Sequence, residues 1–527
     1  MPKNVLFIMC DQLRWDYLSC YGHPSLHTPN IDRLASMGVR FTQAYAQSTI
    51  CGPSRMSFYT GRYVRSHGST WNGFPLKAGE PTLGDHLRPL GVRTALVGKT
   101  HMKADYAGME RLGISPDTDL GVLVSECGFE PYERDDGLHP DGPYDQSSPY
   151  NDYLTSVGYP GKNPWNEWAN AAEVDGELIS GWYLRSAKYP ARVEEIHSET
   201  PYMTRRAIDF IKETGDQSWC LHLSFIKPHW PYIAPAPYHA LYRKEDILPI
   251  VRSEVERRNP HPILEQFMKS EVSQSFSDEH IRETVIPAYM GLVKQIDDQI
   301  GLLLDWLETN SYLENTLIVF TSDHGDYLGD HWLGEKEMFH DASVRIPLIV
   351  YDPSEAADST RGGVSDLLVE AIDLAPTFLE FFGSEPRQHI LEGRSLLPVL
   401  HDRMPLESWR DVVISEYDYS MRPARINLNV PIEDARMIMA YDGRWKYIMV
   451  ESFRSMLFDL KNDPEELHDL GADDDYKSVF LKMERSIFEW SRRHHSRVTV
   501  SDSRIEETWD KEKSLGILIG CWDKEHN

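Results

Sequence analysis

Apolar and polar positions along the first 400 residues follow a pattern that predicts strands and helices in turn. Apolar and β-branched content predicts strands at residues 5–9, 92–97, 219–226, 316–321 and 346–351, and the continuous apolar run at 5–9 is typical of a strand buried on both faces. Helical spacing of apolar residues predicts helices at residues 29–37, 82–90, 200–211, 278–306 and 371–382. The third of these is expected to open with a Thr200-Pro201 cap. This order is typical of helices packed on both faces of a mostly parallel sheet.

The pattern changes after about residue 410. Short strands are predicted at residues 412–416, 436–441, 444–450 and 456–460, with turns such as Asp442-Gly443 between them and a helix at 476–493. We therefore predict an α/β fold: a large, mostly parallel sheet sandwiched by helices, with a smaller C-terminal antiparallel-sheet subdomain.

We divide the chain into three parts. Residues 1–410 form the main α/β domain, with a long excursion at 102–200 where Pro, Gly, Asp and Tyr cluster and periodicity fades. We expect the excursion to surround the mouth of a site, because long loops in compact domains are usually functional or disordered. Residues 411–500 form an α+β subdomain, and residues 501–527 form a tail that is a candidate oligomer contact.

Composition narrows the classes of partner. The 527 residues are 41% hydrophobic and 26% charged, which is ordinary for a globular protein. A net charge of −28 argues against nucleic acid or anionic membranes as general partners. The six cysteines form no CxxC pair, and the N-terminal apolar run is too short for a signal segment or a membrane span. We expect a cytoplasmic protein.

Polar side chains at two predicted strand ends suggest a metal site. Asp11-Gln12 follows the first strand, and Asp323-His324 follows the strand at 316–321. Ligands bind at this edge of open α/β sheets. Two carboxylates and an imidazole would form an oxygen and nitrogen site for Mn²⁺, Ca²⁺ or Mg²⁺, and the amide of Gln12 lowers the ligand charge without choosing among these ions.

The segment Cys51-Gly52-Pro53-Ser54-Arg55 carries the most specific chemistry. We place Pro53 at the first position of a helix, which puts the cysteine at the helix N-terminus beside the fixed charge of Arg55. A helix N-terminus binds anions and lowers the pKa of a thiol. The segment therefore predicts an anion-binding position with an activated nucleophile.

Cys51-x-Pro53-x-Arg55, followed by Thr60-Gly61-Arg62, resembles the signature of the type I sulfatases of the alkaline phosphatase superfamily. Further similar segments stand in the family's order along the chain, from about residue 4 to residue 470. They are Asp11, Gly98-Lys99-Thr100-His101, Lys227-Pro228-His229, Asp323-His324-Gly325, Gly334-Glu335-Lys336 and Leu457-Phe458-Asp459-Leu460.

The resemblance implies that Cys51 is oxidised to formylglycine, whose hydrate is the nucleophile and whose second hydroxyl later expels the product. It implies a role for each matching residue, as follows. Asp11, Gln12, Asp323 and His324 bind one divalent cation together with residue 51; Arg55 holds the formylglycine oxygen; Lys99, His229 and Lys336 contact the transferred group and the leaving oxygen; and His101 is the base that eliminates sulfate.

Two features of the sequence separate two branches of the family. Asp11-Gln12 replaces the Asp-Asp of many sulfatases and, with Asn72 as a substrate-binding residue, resembles the phosphonate monoester hydrolase and related arylsulfatase branch. Lys99 and His101 match the pair expected of true sulfatases, whereas the phosphonate hydrolases have Tyr and Thr at these two positions. We give Lys99 and His101 more weight because they would touch the transferred group.

We therefore expect a metal- and formylglycine-dependent sulfuric ester hydrolase of the arylsulfatase type, with Ca²⁺ or Mn²⁺ ahead of Mg²⁺. The alternatives are a phosphonate monoester hydrolase or phosphodiesterase with promiscuous sulfatase activity, and an inactive anion-binding homologue. Lys227 is a further substrate-binding candidate, the weakest of the lysines. The expected partners are a small anionic ester, the formylglycine-generating enzyme and further copies of the chain, with no nucleic acid and no membrane.

Overall fold

A computed structural model of the chain describes residues 3–141, 148–403, 409–493, 497–509, 511, 513–519 and 522. The rest of the predicted tail, residues 510, 512, 520, 521 and 523–527, lies outside the described residues.

In the described part of the chain, the strands are β1 (Asn4–Asp11), β2 (Val39–Tyr45), β3 (Arg93–Gly98), β4 (Glu130–Arg134), β5 (Ala171–Val174), β6 (Glu177–Ser180), β7 (Trp219–Pro228), β8 (Thr316–Ser322), β9 (Arg345–Tyr351), β10 (Gly363–Glu370), β11 (Val413–Asp418), β12 (Arg436–Tyr441), β13 (Trp445–Val450) and β14 (Met456–Asp459). The α-helices are α1 (Pro29–Met37), α2 (Cys51–Thr60), α3 (Val64–His67), α4 (Leu83–Leu87), α5 (Tyr106–Leu112), α6 (Asp119–Ser125), α7 (Pro149–Ser156), α8 (Glu199–Thr214), α9 (Pro262–Met268), α10 (Glu271–Phe276), α11 (Glu279–Thr309), α12 (Asp341–Val344), α13 (Leu374–Phe381), α14 (Leu397–Leu400), α15 (Pro423–Asn427), α16 (Lys477–Arg492) and α17 (Asp502–Thr508).

The main sheet confirms the predicted fold class. Among the described residues it contains eight strands in the order β10-β2-β9-β8-β1-β7-β3-β4. The pairs β1/β7, β1/β8, β3/β7, β3/β4 and β2/β10 are parallel, and β9 alone runs antiparallel to its two neighbours. The ends of β3, β7, β1 and β8 therefore meet at one edge.

Helices cover both faces of this sheet, and β1 shows why its sequence is apolar throughout. Leu6, Ile8 and Cys10 pack in one core with α8 and α11, while the alternate residues Val5, Phe7 and Met9 pack in a second core with α2 and α13. Every residue of β1 is buried. A central parallel strand with a helical layer on each face requires this composition.

The five strands predicted in the main domain are confirmed within two residues, whereas β2, β4 and β10 were missed. These three carry partly exposed positions and polar residues, so they lack a continuous apolar run. The predicted Thr200-Pro201 cap is wrong by two residues: Ser198 precedes α8, and Pro201 lies inside its first turn. Proline is tolerated there because the first N–H groups of a helix have no helical partner.

The four predicted C-terminal strands are confirmed as an antiparallel sheet, β11-β12-β13-β14, against which α16 packs. Lys446 of β13 is fully buried and pairs with Asp341 and Glu466, each at 2.6 Å. The ion pair with Asp341 connects the C-terminal sheet to the segment of chain that follows Lys336. The division near residue 410 stays a prediction.

The excursion at 102–200 contributes β4 to the edge of the main sheet and also forms the β5–β6 hairpin. Among the residues that the structure describes, no helix has both the length and the apolar composition needed to cross a membrane.

Candidate active site

The predicted site residues converge where four neighbouring parallel strands end. Asp11 ends β1, Lys99 follows β3, His229 follows β7 and Asp323 follows β8. Backbone contacts hold these ends together, since the Asp323 N–H donates to the Cys10 carbonyl (3.3 Å) and the Lys99 N–H to the Ser224 carbonyl (3.2 Å). The topology alone therefore gathers side chains that are more than 300 residues apart.

Two of the site residues have left-handed backbones. Gln12 has a φ of 65° and His101 a φ of 55°. Residues other than glycine rarely adopt this backbone conformation. It costs on the order of 1–3 kcal/mol and persists only where the surrounding structure fixes it. Around His101 the surroundings include Asp136, whose Oδ1 accepts the backbone N–H groups of Thr100 (3.1 Å) and His101 (3.0 Å).

Cys51 is the first residue of α2, and its side chain is buried. The predicted position at a helix N-terminus is confirmed. The prediction that Pro53 is the first helical residue is wrong, because the helix begins two residues earlier and Pro53 is the third residue. Like Pro201, it stands where its missing N–H leaves no helical hydrogen bond unmade.

Four donor atoms, one from each of Asp11, Cys51, Asp323 and His324, lie within 4.8 Å of one another, and all four residues are buried. We call this group the donor cluster. Oxygen ligands lie about 2.3–2.6 Å from Ca²⁺, so ligands on opposite sides of one ion are about 4.6–5.2 Å apart. The donor cluster therefore fits a single cation.

The tautomer of His324 suits this use. Its Nδ1 lies 2.9 Å from the Gly325 carbonyl and donates to it, and its Nε2 lies 3.1 Å from Cys51 Sγ. A backbone carbonyl on the far nitrogen is the usual way in which proteins orient a metal-binding imidazole.

Arg55 contacts the carboxylates of the donor cluster. Its Nε donates to Asp323 Oδ2 (2.8 Å), one terminal nitrogen donates to Ser224 Oγ and the Lys99 carbonyl (each 2.8 Å), and the other lies 3.4 Å from Asp11. The structure thus shows Arg55 holding two carboxylates in place. Its implied contact with an oxygen of modified residue 51 stays a prediction.

Two lysines and a histidine lie close to Cys51. Lys336 Nζ lies 3.2 Å from Cys51 Sγ and 3.3 Å from His229 Nε2. Lys99 Nζ donates to Asp11 Oδ2 at 2.5 Å, and His101 lies close enough to Cys51 to help lower the pKa of its thiol. All of these residues were predicted from the sequence.

The local charges change the protonation of the buried groups. Burial raises the pKa of the Cys51 thiol, but Lys336, Lys99 and His324 outweigh it, and the net pKa is well below the usual value. Burial also raises the pKa of Asp11, as does Cys51, and Lys99, His229 and Arg55 reverse this to a net lowering. The site therefore stabilises negative charge in a pocket that excludes water.

Burial lowers the pKa of His229, which favours the neutral imidazole. Its Nδ1 donates to the Trp230 carbonyl at 2.7 Å, so Nε2 accepts from Lys336. His229 thus fixes the ammonium of Lys336 beside residue 51.

The two predicted substrate-binding residues lie differently. Asn72 Oδ1 accepts the backbone N–H of Gly52 at 2.8 Å, which places Asn72 beside Cys51. Lys227 donates to the Pro231 carbonyl (3.2 Å) and pairs with Glu199 (3.5 Å). Within the described residues, the structure does not bring the Lys227 ammonium into the contacts around Cys51.

The sequence reasoning missed Asp326. This carboxylate is fully buried and accepts a hydrogen bond from the side-chain amide of Gln12 at 2.5 Å. The available signal was its position two residues after His324, within the segment that follows β8.

Comparisons with known proteins agree with this geometry. The Sulfatase family model matches residues 3–384, and the model for the N-sulphoglucosamine sulphohydrolase C-terminal region matches residues 329–493. The multifunctional alkaline phosphatase superfamily protein PehA of Trinickia caryophylli is 30% identical over 522 residues, covering 94% of this chain and 96% of that protein.

An arylsulfatase of Clostridium perfringens is 28% identical over 505 residues, covering 90% of this chain and 92% of that protein. The solved phosphonate monoester hydrolase SpPMH of Silicibacter pomeroyi superimposes with a TM-score of 0.82 at 26% identity, covering 94% of this chain and 96% of that one.

Proposed function

The chain belongs to the sulfatase family, and from this premise we propose that it hydrolyses sulfate esters with residue 51, in modified form, as the nucleophile. The observation that carries the proposal is the position of Cys51 Sγ, in the first turn of α2, 3.2 Å from Lys336 Nζ and 3.1 Å from His324 Nε2. A reactive group held there faces both a fixed cation and a metal-ligand set.

In this proposal Cys51 is converted to formylglycine by a formylglycine-generating enzyme. A hydrated aldehyde supplies one hydroxyl for attack and a second for release of the product, which a serine cannot do. His101, whose side chain helps lower the pKa of Cys51, takes the proton of the second hydroxyl.

The basic side chains bind and orient the ester. Lys336 Nζ lies beside residue 51 and Lys99 Nζ beside Asp11, and His229 fixes the direction of the Lys336 ammonium. Cations already in place where negative charge develops lower the barrier without having to reorganise. They also offer a small anion a positive pocket in a protein whose net charge is −28.

Asp11, Gln12, Asp323 and His324 would hold one divalent cation next to residue 51. We propose Ca²⁺ or Mn²⁺ ahead of Mg²⁺, because the four ligands combine oxygen donors with one imidazole. Such a cation would lower the pKa of a bound hydroxyl and neutralise charge on the transferred group.

The aromatic residues beside His229 support an aryl group in the alcohol part of the ester substrate. The ring of Trp230 lies 4.4 Å from that of His229, and Trp182 lies 5.9 Å from Trp230 with 36% of its surface exposed. Trp165 is buried and its indole N–H donates to Glu199, and Trp168 packs against Tyr159 and Arg192. Trp182 contacts Trp230 beside His229 and offers an exposed surface there. We propose that an aryl leaving group packs there.

Phosphonate monoester hydrolysis is the second candidate. It is favoured by the Asp11-Gln12 pair and by the similarity to SpPMH, a phosphonate monoester hydrolase. Lys99 and His101 favour sulfate, since they lie at residue 51 and resemble the residues of true sulfatases.

The test compares kcat/KM for an aryl sulfate and an aryl phosphonate that share one leaving group, measured on one preparation with Cys51→Ala as the control. We expect the larger value for the sulfate and loss of both activities in the variant. A large excess for the phosphonate would replace sulfate hydrolysis as the main activity, and full activity of Cys51→Ala would exclude residue 51 as the nucleophile.

We further propose a cytoplasmic location and a homo-oligomer. The five cysteines that the structure describes are free thiols, which suits a reducing compartment. The exposed apolar residues of the tail, including Leu515 and Ile519, support a contact between copies.

A further inference from the structure

The side-chain amide of Gln12 is held at both ends inside the protein. Its Nε2 donates to Asp326 Oδ2 (2.5 Å) and lies 3.3 Å from the Tyr232 hydroxyl, while its Oε1 accepts from Lys336 Nζ (2.9 Å). The backbone N–H of Gln12 donates to Asp323 Oδ1 at 3.0 Å. The amide oxygen therefore faces the lysine beside Cys51, and the amide NH₂ faces away.

Asp326 is equipped to impose this orientation. The residue is fully buried, and its oxygens accept hydrogen bonds from Gln12, from the Tyr232 hydroxyl (2.6 Å) and from the Leu328 N–H (3.0 Å). All three donors are neutral. An ionised carboxylate only accepts hydrogen bonds, whereas an amide donates at one end and accepts at the other.

We propose that Asp326 is a positioning residue that fixes the amide of Gln12 so that its oxygen, and not its NH₂ group, is presented to the cation. This inference rests on the proposed function, because it requires a cation at the donor cluster. With the opposite orientation, Gln12 would present hydrogen atoms both to the cation and to the Lys336 ammonium.

The same contact explains why the chain carries Gln12 where many sulfatases carry aspartate. A second carboxylate facing Asp326 would place two like charges within hydrogen-bond distance, where they do not both stay ionised. Gln12 and Asp326 thus form a matched pair, in which the amide NH₂ group donates and the carboxyl oxygen accepts.

Asp326→Asn breaks this match while keeping the shape. The new amide has one acceptor oxygen, but the present carboxylate accepts from Gln12 on one oxygen and from the Leu328 N–H on the other. At one of these two contacts, with the Gln12 amide or with the Leu328 N–H, a hydrogen-bond donor would then face another donor. If Gln12 flips in response, its NH₂ group faces the cation.

The experiment measures Mn²⁺ affinity of the full-length protein by calorimetric titration, with electron paramagnetic resonance of free Mn²⁺ as a second readout. Asp326→Asn is expected to weaken Mn²⁺ binding by about 10- to 100-fold, the usual effect of losing a partner that orients a metal ligand. Gln12→Glu is expected to weaken it as well, because it sets two carboxylates together.

The double variant Gln12→Glu/Asp326→Asn exchanges charge and amide. The amide introduced at position 326 can donate to one oxygen of the carboxylate introduced at position 12, while the other oxygen of that carboxylate faces the cation. We expect Mn²⁺ affinity within a few-fold of the wild type. Asp330→Asn is the matched control: this buried carboxylate of the same segment pairs with Arg14, and its loss should lower stability but change Mn²⁺ affinity less than about threefold.

Wild-type affinity in Asp326→Asn overturns the proposal. So does a double variant that binds Mn²⁺ no better than the weaker single variant. If Asp326→Asn does not fold, the double variant is compared with Gln12→Glu alone. Failure of the wild type to bind Mn²⁺ or Ca²⁺ overturns both this inference and the proposed function. Normal binding and sulfate hydrolysis with unresponsive variants overturns this inference only.

Discussion

Gly98 ends β3 immediately before Lys99, and its backbone leaves no room for a side chain. Its φ is +109°, and a Cβ added there would lie 2.0 Å from the Ser224 carbonyl oxygen of β7. Because that oxygen belongs to the backbone, β3 and β7 would have to separate by about 1 Å to reach even the shortest contacts seen for real Cβ atoms. Gly98→Ala therefore disturbs the strand end that carries Lys99.

Gly91→Ala provides a matched control. Gly91 also has a positive φ, +77°, but a Cβ at that position meets no atom within 4 Å. Both variants place an alanine at positive φ, which costs at least about 1–2 kcal/mol, and both lose the same conformational entropy in the unfolded chain. The difference between them reports the clash together with the less favourable φ of +109° at Gly98, and we expect it to be about 1–3 kcal/mol.

The assay is urea unfolding of both variants and the wild type, together with kcat/KM for an aryl sulfate. Gly98→Ala should lose the additional free energy of unfolding and about 100-fold in kcat/KM, because a displacement near 1 Å in a catalytic group has effects of that size. Gly91→Ala should keep the wild-type kcat/KM. Equal losses of stability in the two variants would refute the reasoning about the clash.

Further predictions concern the leaving-group surface, the proton transfer and acid stability. Trp182→Ala should lower kcat/KM for aryl sulfates about 2- to 10-fold relative to alkyl sulfates, whereas Tyr183→Ala, which removes the neighbouring exposed ring, should not; equal effects would remove Trp182 from the substrate surface. His101→Ala should lower steady-state turnover by about 10²–10⁴-fold after a burst of at most one alcohol per active site, and fast steady-state turnover would exclude it as the base. Burial lowers the pKa of His222 and of His67 to about 3 each, so both stay neutral in the fold and gain protons on unfolding below pH 6.5. These two groups should therefore leave the free energy of unfolding constant above pH 6.5, and each should subtract about 2 kcal/mol from it by pH 5. His222→Gln, measured by urea unfolding at pH 7 and pH 5, should lose less free energy of unfolding between the two pH values than the wild type. An equal loss would contradict the prediction.

The strands that carry the site could be predicted because burial on both faces demands uninterrupted apolar sequence. β1 and β8 show this pattern, β7 shows it apart from His222 and Ser224, and each strand ends in the polar residues that the site uses. The sequence could not reveal β2, because its alternating Val, Arg, Phe and Thr residues serve a partly exposed position in the sheet. Edge strands such as β4 give an even weaker signal.

The side-chain identities of the site could be predicted from the motifs, but not the contacts among them. Arg55 was expected to hold the oxygen of modified residue 51. In the structure its planar guanidinium bridges Asp323, Asp11 and the Lys99 carbonyl. Such geometry depends on how three strand ends and a helix meet. For the same reason the sequence could not show what Asp326 contacts, because its partner Gln12 is 314 residues away.

The central claim is that residue 51 acts as formylglycine at the centre of the donor cluster. The most direct measurement is mass spectrometry of the peptide that contains residue 51, performed on preparations with different degrees of maturation, alongside aryl sulfate turnover of each. We predict that turnover rises in proportion to the fraction of the peptide carrying an aldehyde in place of the thiol and is absent without it. Undiminished turnover in a preparation that contains only unmodified Cys51 would contradict the account.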